Sequence, residues 1–198
     1  MSPKLALLAA AIVASAGFSS GLAWAHLHVQ SSTHAVFAAR AVDAAEPLAH
    51  VRSEFHFTLH APMAVAAPLF GPEGERAWGG SDWDPAFLFP QPAKDVEGAV
   101  FLVHHGQHKS TWVTTALDFT AGHVQYVNLI DGAMVTRIDI HLAATGHGDT
   151  EATIVYERTA LQPELNEHVI SLAQEDTGMG AHWESAINSY LRSIPQSK

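Results

Sequence analysis

The chain has 198 residues, 47% of them hydrophobic, with 20 acidic against 10 basic residues for a formal net charge of −10, 14 His and no Cys. That negative surplus repels phosphate and argues against nucleic acid or an anionic membrane surface as partner. Without Cys there is no disulfide, thiolate metal site or Cys nucleophile, and the length suits one domain held together by burial. At the start, Lys4, the apolar run Leu5 to Ala14 and Ala23-Trp24-Ala25 follow the order of a cleaved secretory signal. The run is shorter than the roughly 18 residues a membrane span needs. Residues 1–25 are therefore expected to be removed on export to a periplasm or the cell exterior, with no stable membrane insertion afterwards.

Residues 26–50 are rich in Ala, Ser and His without sustained periodicity, and read as a mobile or loosely docked lead-in. Glu54 to His60 then alternates strictly, with Phe55, Phe57 and Leu59 on one face, as a half-buried strand does. Ala61-Pro62 ends it. Two short helices are expected next, Met63 to Phe70 and Glu73 to Trp78, stopped near Gly71-Pro72 and Gly79-Gly80. From Gly98 the pattern predicts strands over 99–105, 110–119, 123–130, 134–144 and 150–160, separated by turn residues that include the hairpin signal Asp131-Gly132. Links this short imply an antiparallel meander. Leu165, Val169, Leu172, Met179, Trp183, Ile187, Tyr190 and Ile194 keep a step of three or four if Asp176 fills the missing slot, which predicts one long amphipathic helix, straight or kinked at Gly178 and Gly180, ending at Pro195, with 195–198 as a tail. The fold class is α+β, a sheet of six or seven strands with the final helix covering its apolar face.

Motifs for a nucleophile elbow, a phosphate loop, a dinucleotide fold and a zinc helix do not occur, and no cofactor is implied. A single acid or base in an apolar cavity still suffices for proton transfer. The ionisable candidates are His104, Asp139, His141 and Glu157 on strands and Glu73 and Glu75 near the helices, each with the plainer alternative of a solvated face or turn. Fourteen His also raise a metal question. Cleavage after Ala25 would begin the chain His26-Leu27-His28, whose amine, two backbone amides and His28 imidazole can wrap a copper or nickel ion. The plainer reading of His26, His28 and the cluster His104-His105-Gly106-Gln107-His108 is polar filler.

The stretch "PLFGPEGERAWGGSDWDP" at 68–85 resembles a PEGE..W..WDP signature of the START-like SRPBCC superfamily, which includes polyketide cyclases, lipid-carrying START domains and the birch pollen allergen. The signature residues are Pro72, Glu73, Gly74, Glu75, Trp78, Trp83, Asp84 and Pro85, although Gly79-Gly80-Ser81-Asp82 is longer than the usual turn. Further similarity lies in Gly98 to Phe101, Trp112, Tyr126, Val155-Tyr156, Trp183-Glu184 and Tyr190-Leu191, and the resemblance covers 51–194. It implies a helix-grip fold whose sheet and C-terminal helix enclose a cavity for a hydrophobic small molecule, lipid-like or aromatic. The implied lining is Phe55, Phe57, Phe101, Trp112, Thr114, Tyr126, Asn128, Ile138, Ile140, Tyr156 and Trp183, with Thr114, Tyr126 and Asn128 orienting the ligand. The resemblance carries no catalytic residues over, so a cyclase-, aromatase- or hydratase-type enzyme stands as the alternative. Plain core packing is the competing reading of each aromatic.

Overall fold

A computed structural model describes residues 46–105 and 108–195. The signal segment, most of the lead-in, His26 and His28, and the residues after Pro195 lie outside it. Seven antiparallel strands form one sheet in the order β1-β7-β6-β5-β4-β3-β2. They are β1 His50–Leu59, β2 Ala86–Phe89, β3 Val100–His105, β4 His108–Asp118, β5 His123–Ile130, β6 Met134–Ala144 and β7 Thr150–Ala160. Each strand of the meander pairs with the next, and β7 returns beside β1. The helices are α1 Met63–Ala66, α2 Pro72–Glu75, α3 Asn166–Glu175 and α4 Met179–Ser193.

The period-two pattern decides which face is buried. Phe55, Phe57 and Leu59 of β1, Val124, Tyr126 and Asn128 of β5, Ile138 and Ile140 of β6, and Ile154, Tyr156 and Arg158 of β7 all point inward. Ala99 to Val103 is apolar on both faces, and the structure turns Phe101 and Val103 in. Over them lies α4, whose Met179, Trp183, Ile187 and Leu191 are buried at helical spacing.

One expectation is corrected. Strand β2 was missed because Pro85 and Pro90 confine it to four residues, of which only Phe87 is buried. The long C-terminal helix is present, divided into α3 and α4 by a 3₁₀ turn at Asp176–Gly178 beside the glycines. Asp176 does occupy the apolar phase, because it pairs with an equally buried Arg158, which donates to Asp176 Oδ2 and, at 3.0 Å, to Oδ1. Ser53 Oγ also donates to Asp176, and the guanidinium lies 4.3 Å over the Tyr156 ring. This pair ties β7, β1 and the helix junction together.

Gly180 lets the α4 backbone approach β1, since a Cβ there would lie 2.9 Å from His56 O. Two turns on, Asn188 Oδ1 accepts from His60 N at 2.8 Å and its Nδ2 donates to Thr58 O at 2.9 Å. The helix is thus fastened to β1 at two points.

Candidate functional site

The signature segment folds as a corner. Pro72 opens α2, where its lack of an N–H costs nothing. Asp95, arriving from the loop before β3, accepts from Glu73 N at 2.8 Å and Gly74 N at 3.3 Å and so caps the helix. Gly71 makes room for it, because a Cβ there would meet Asp95 Oδ2 at 2.3 Å. Gly74 is pressed against the preceding turn, where a Cβ would lie 1.9 Å from Pro68 O. Arg76 closes the corner by pairing with Glu73 at 2.8 Å and with Asp84 and the Pro85 carbonyl.

The two tryptophans of the segment have different tasks. Trp83 is buried, donates to Pro72 O at 2.9 Å and stands edge-on to Trp112 and Phe101. Trp78 is half-buried, donates to Leu69 O at 2.7 Å and lies edge-on to Trp183 with ring centres 5.2 Å apart. Trp83 is the packed part of the corner and also lines the cavity beneath it, and Trp78 is the corner's half-exposed rim.

Under this corner Glu75, Trp83, Trp112, Tyr126, Ile138, Ile140, Tyr156 and Trp183 surround one cavity. Register explains the meeting, since Tyr126, Ile138 and Tyr156 are direct neighbours across β5, β6 and β7. The space left is about 10 Å³, room for a single water. The ligand-sized cavity implied by the resemblance is thus closed here. Aromatic rings fill it.

All the expected lining residues are buried on the inner face, and Trp112, Tyr126, Ile138, Ile140, Tyr156 and Trp183 reach the cavity. Phe55, Phe57 and Phe101 pack behind them. Tyr126 hydroxyl donates to Phe70 O, which spends it on packing. Thr114 Oγ1, Asn128 Oδ1 and Trp183 Nε1 are buried without a partner among the described residues, as are Thr136 Oγ1 and Arg158 Nε beside them. Asn128, Thr136 and Arg158 form a polar row across β5, β6 and β7.

The acid–base candidates separate. Asp139, His141 and Glu157 lie on the outer face, where Glu157 pairs with Arg137 at 2.9 Å, and His104 is exposed on β3. Glu73 is spent on Arg76. Glu75 alone reaches the cavity. It is 6% exposed, and its carboxyl makes no hydrogen bond among the described residues. Burial, reinforced by the nearby Asp95 carboxylate, pushes its pKa well above the ordinary 4.5, so the acid form is favoured. Burial likewise pushes the Tyr126 and Tyr156 hydroxyls up, leaving both neutral.

A stability test follows from Glu75. Below about pH 4 both folded and unfolded chains hold its proton; above that the unfolded chain releases it first, so Glu75 erodes stability as pH rises, by up to about 1.4 kcal/mol per unit, until the folded group ionises. Glu75→Gln has no proton to lose. Urea unfolding from pH 4 to 8 is expected to show the variant gaining on the wild type as pH rises, whereas parallel profiles would mean that the carboxyl is solvated.

No family model matches the sequence, and no curated protein does. Solved structures match the fold. Norcoclaurine synthase from Thalictrum flavum, in complex with dopamine and hydroxybenzaldehyde, is 13% identical over 84% of this chain and 100% of its own, with a TM-score of 0.58. A protein from Rhizobium leguminosarum is 13% identical over 75% and 98%, with a TM-score of 0.54, and the Mll3558 protein from Rhizobium loti is 11% identical over 71% and 99%, with a TM-score of 0.51. Together with the strand order and the long covering helix, these likenesses identify the helix-grip fold.

Proposed function

We propose that this is an exported protein that binds a small, mainly apolar molecule carrying a hydrogen-bonding group, between the sheet and α4. The observation that carries the reading is Glu75, a buried acid with no hydrogen bond among the described residues, facing a cavity walled by aromatic rings. Such a group costs stability and packs no better than a Leu, which favours a functional role. Its protonated carboxyl and Trp183 Nε1 offer donors to the polar end of a ligand, while Trp112, Tyr126 and Tyr156 offer ring faces to the rest. The proposed point of entry is the half-buried Trp78, which packs edge-on to the cavity-lining Trp183 and stands beside Gly79 and Gly80. The solved structure that holds dopamine and hydroxybenzaldehyde supports a ligand of this size in this fold. Export rests on the Lys4 to Ala25 signal pattern.

The test is saturable binding of the neutral fluorescent probe N-phenyl-1-naphthylamine to wild type and Trp78→Ala. Trp78→Ala, with its rim opened, is expected to take up one probe per chain faster than wild type. Failure of both folded proteins to bind ends the proposal.

A second reading is favoured by the same carboxyl. Held as an acid in a nearly dry site, Glu75 is a ready proton donor for a cyclase- or hydratase-type reaction. Native mass spectrometry of protein from its own host separates the two. A binding protein carries the same cargo in wild type and Glu75→Gln, whereas an enzyme leaves unreacted substrate in the variant.

A further inference from the structure

On the outer face of the sheet, away from the aromatic cavity, the strand register assembles a second group. Asp139 and His141 are two residues apart on β6 and so share a face, and antiparallel pairing puts His123 of β5 directly opposite His141. The imidazoles lie parallel, with centres 4.8 Å apart and planes 7° apart. Both point Nε2 at one carboxylate oxygen: Asp139 Oδ1 is 2.8 Å from His123 Nε2 and 3.3 Å from His141 Nε2. We infer that His123, Asp139 and His141 form a binding site for a late first-row divalent metal ion, with zinc as its reference occupant.

The geometry is close to what such an ion needs. The three ligand atoms lie within 4.8 Å of one another. At zinc–ligand distances of about 2.0–2.2 Å, two ligands of a tetrahedral ion are separated by about 3.3 Å. Two of the three separations are already near that value, and tipping the rings together supplies the third. Two imidazoles and a carboxylate are a donor set that zinc, copper(II) and nickel all accept, and one face stays open to solvent for water.

The carboxylate is also held in place. Gln125 Nε2 donates to Asp139 Oδ2 at 3.1 Å, and Thr115 Oγ1 donates to Gln125 Oε1 at 2.9 Å. The second oxygen is thereby occupied while the first is directed at the histidines, an outer-shell arrangement that orients metal ligands. The backbone beside the site is equally determined. Gly122 adopts φ +70°, its carbonyl accepts from Leu142 N at 2.7 Å, and a Cβ on it would meet Leu142 O at 2.2 Å. Strands β5 and β6 therefore present the three ligands from a rigid base, and the acidic chain draws cations toward them.

Calorimetric titration with zinc chloride tests the site, using the tag-free full chain with His26→Gln and His28→Gln so that the N-terminal ligands do not contribute. One zinc per chain is expected, with a rise in melting temperature. His141→Gln, an exposed change that circular dichroism can check for retained fold, is expected to lower affinity at least about tenfold, and Gln125→Ala by about tenfold through the loosened carboxylate. No saturable binding, or unchanged stoichiometry and affinity in His141→Gln, would overturn the assignment. Probe binding in the aromatic cavity is independent of either result.

Discussion

Asp176→Asn is expected to destabilise the fold by about 3–5 kcal/mol, because it removes the only charge paired, among the described residues, with a guanidinium that is 1% exposed. The Nε of Arg158 is already without a partner among the described residues, so Asp176 supplies most of its compensation. The double variant Arg158→Met with Asp176→Leu separates the net value of the pair from the cost of breaking it. Removing both charges and filling the space with apolar atoms is expected to recover most of the loss. Urea unfolding of the three variants measures this. A loss below about 1 kcal/mol for Asp176→Asn would place the pair in solvent.

Trp83→Ala is expected to cost about 3–5 kcal/mol, and Trp78→Ala clearly less. Both rings lie in the same glycine-rich corner, yet only Trp83 is buried, with Phe101 and Trp112 against its edges and the Pro72 carbonyl on its indole N–H. Truncation leaves a cavity and a carbonyl without its donor. Trp78 is half-exposed and loses less contact. Denaturant midpoints of the two variants decide the matter, and equal losses would contradict the division into corner and rim.

The strands of the meander were legible because β5, β6 and β7 alternate over 8 to 11 residues between clear turn residues, and their observed limits are those the pattern predicts. On β1 and β6 the apolar face was legible for the same reason, whereas over Ala99 to Val103 both faces are apolar and the pattern left the inward one open. What escaped was decided by tertiary pairing. Arg158 stands in the inward phase between Tyr156 and Ala160, and Asp176 stands in the apolar phase of the helical segment; an Arg and an Asp, each alone on an apolar face, are the signal that could have paired them. Glu75 gave no such sign. Its inward aim depends on the α2 cap made by Asp95, 20 positions along the chain. The site on β5 and β6 needed register, since His123 and His141 become neighbours only once the Asp131-Gly132 hairpin sets which residues face each other.

The attachment of α4 to β1 also bears on how the protein behaves in a crowd of its own copies. A seven-stranded open sheet has two outer strands, and each is a template on which another chain can build. On β1, Asn188 occupies Thr58 O and His60 N while the backbone near Gly180 lies against His56 O, so a helix takes the place an incoming strand would need. On β2 the opportunity is limited by length, with four residues, an irregular register and Pro90 immediately after. Strand addition is thus discouraged at both margins, by a side-chain amide at one and by brevity at the other.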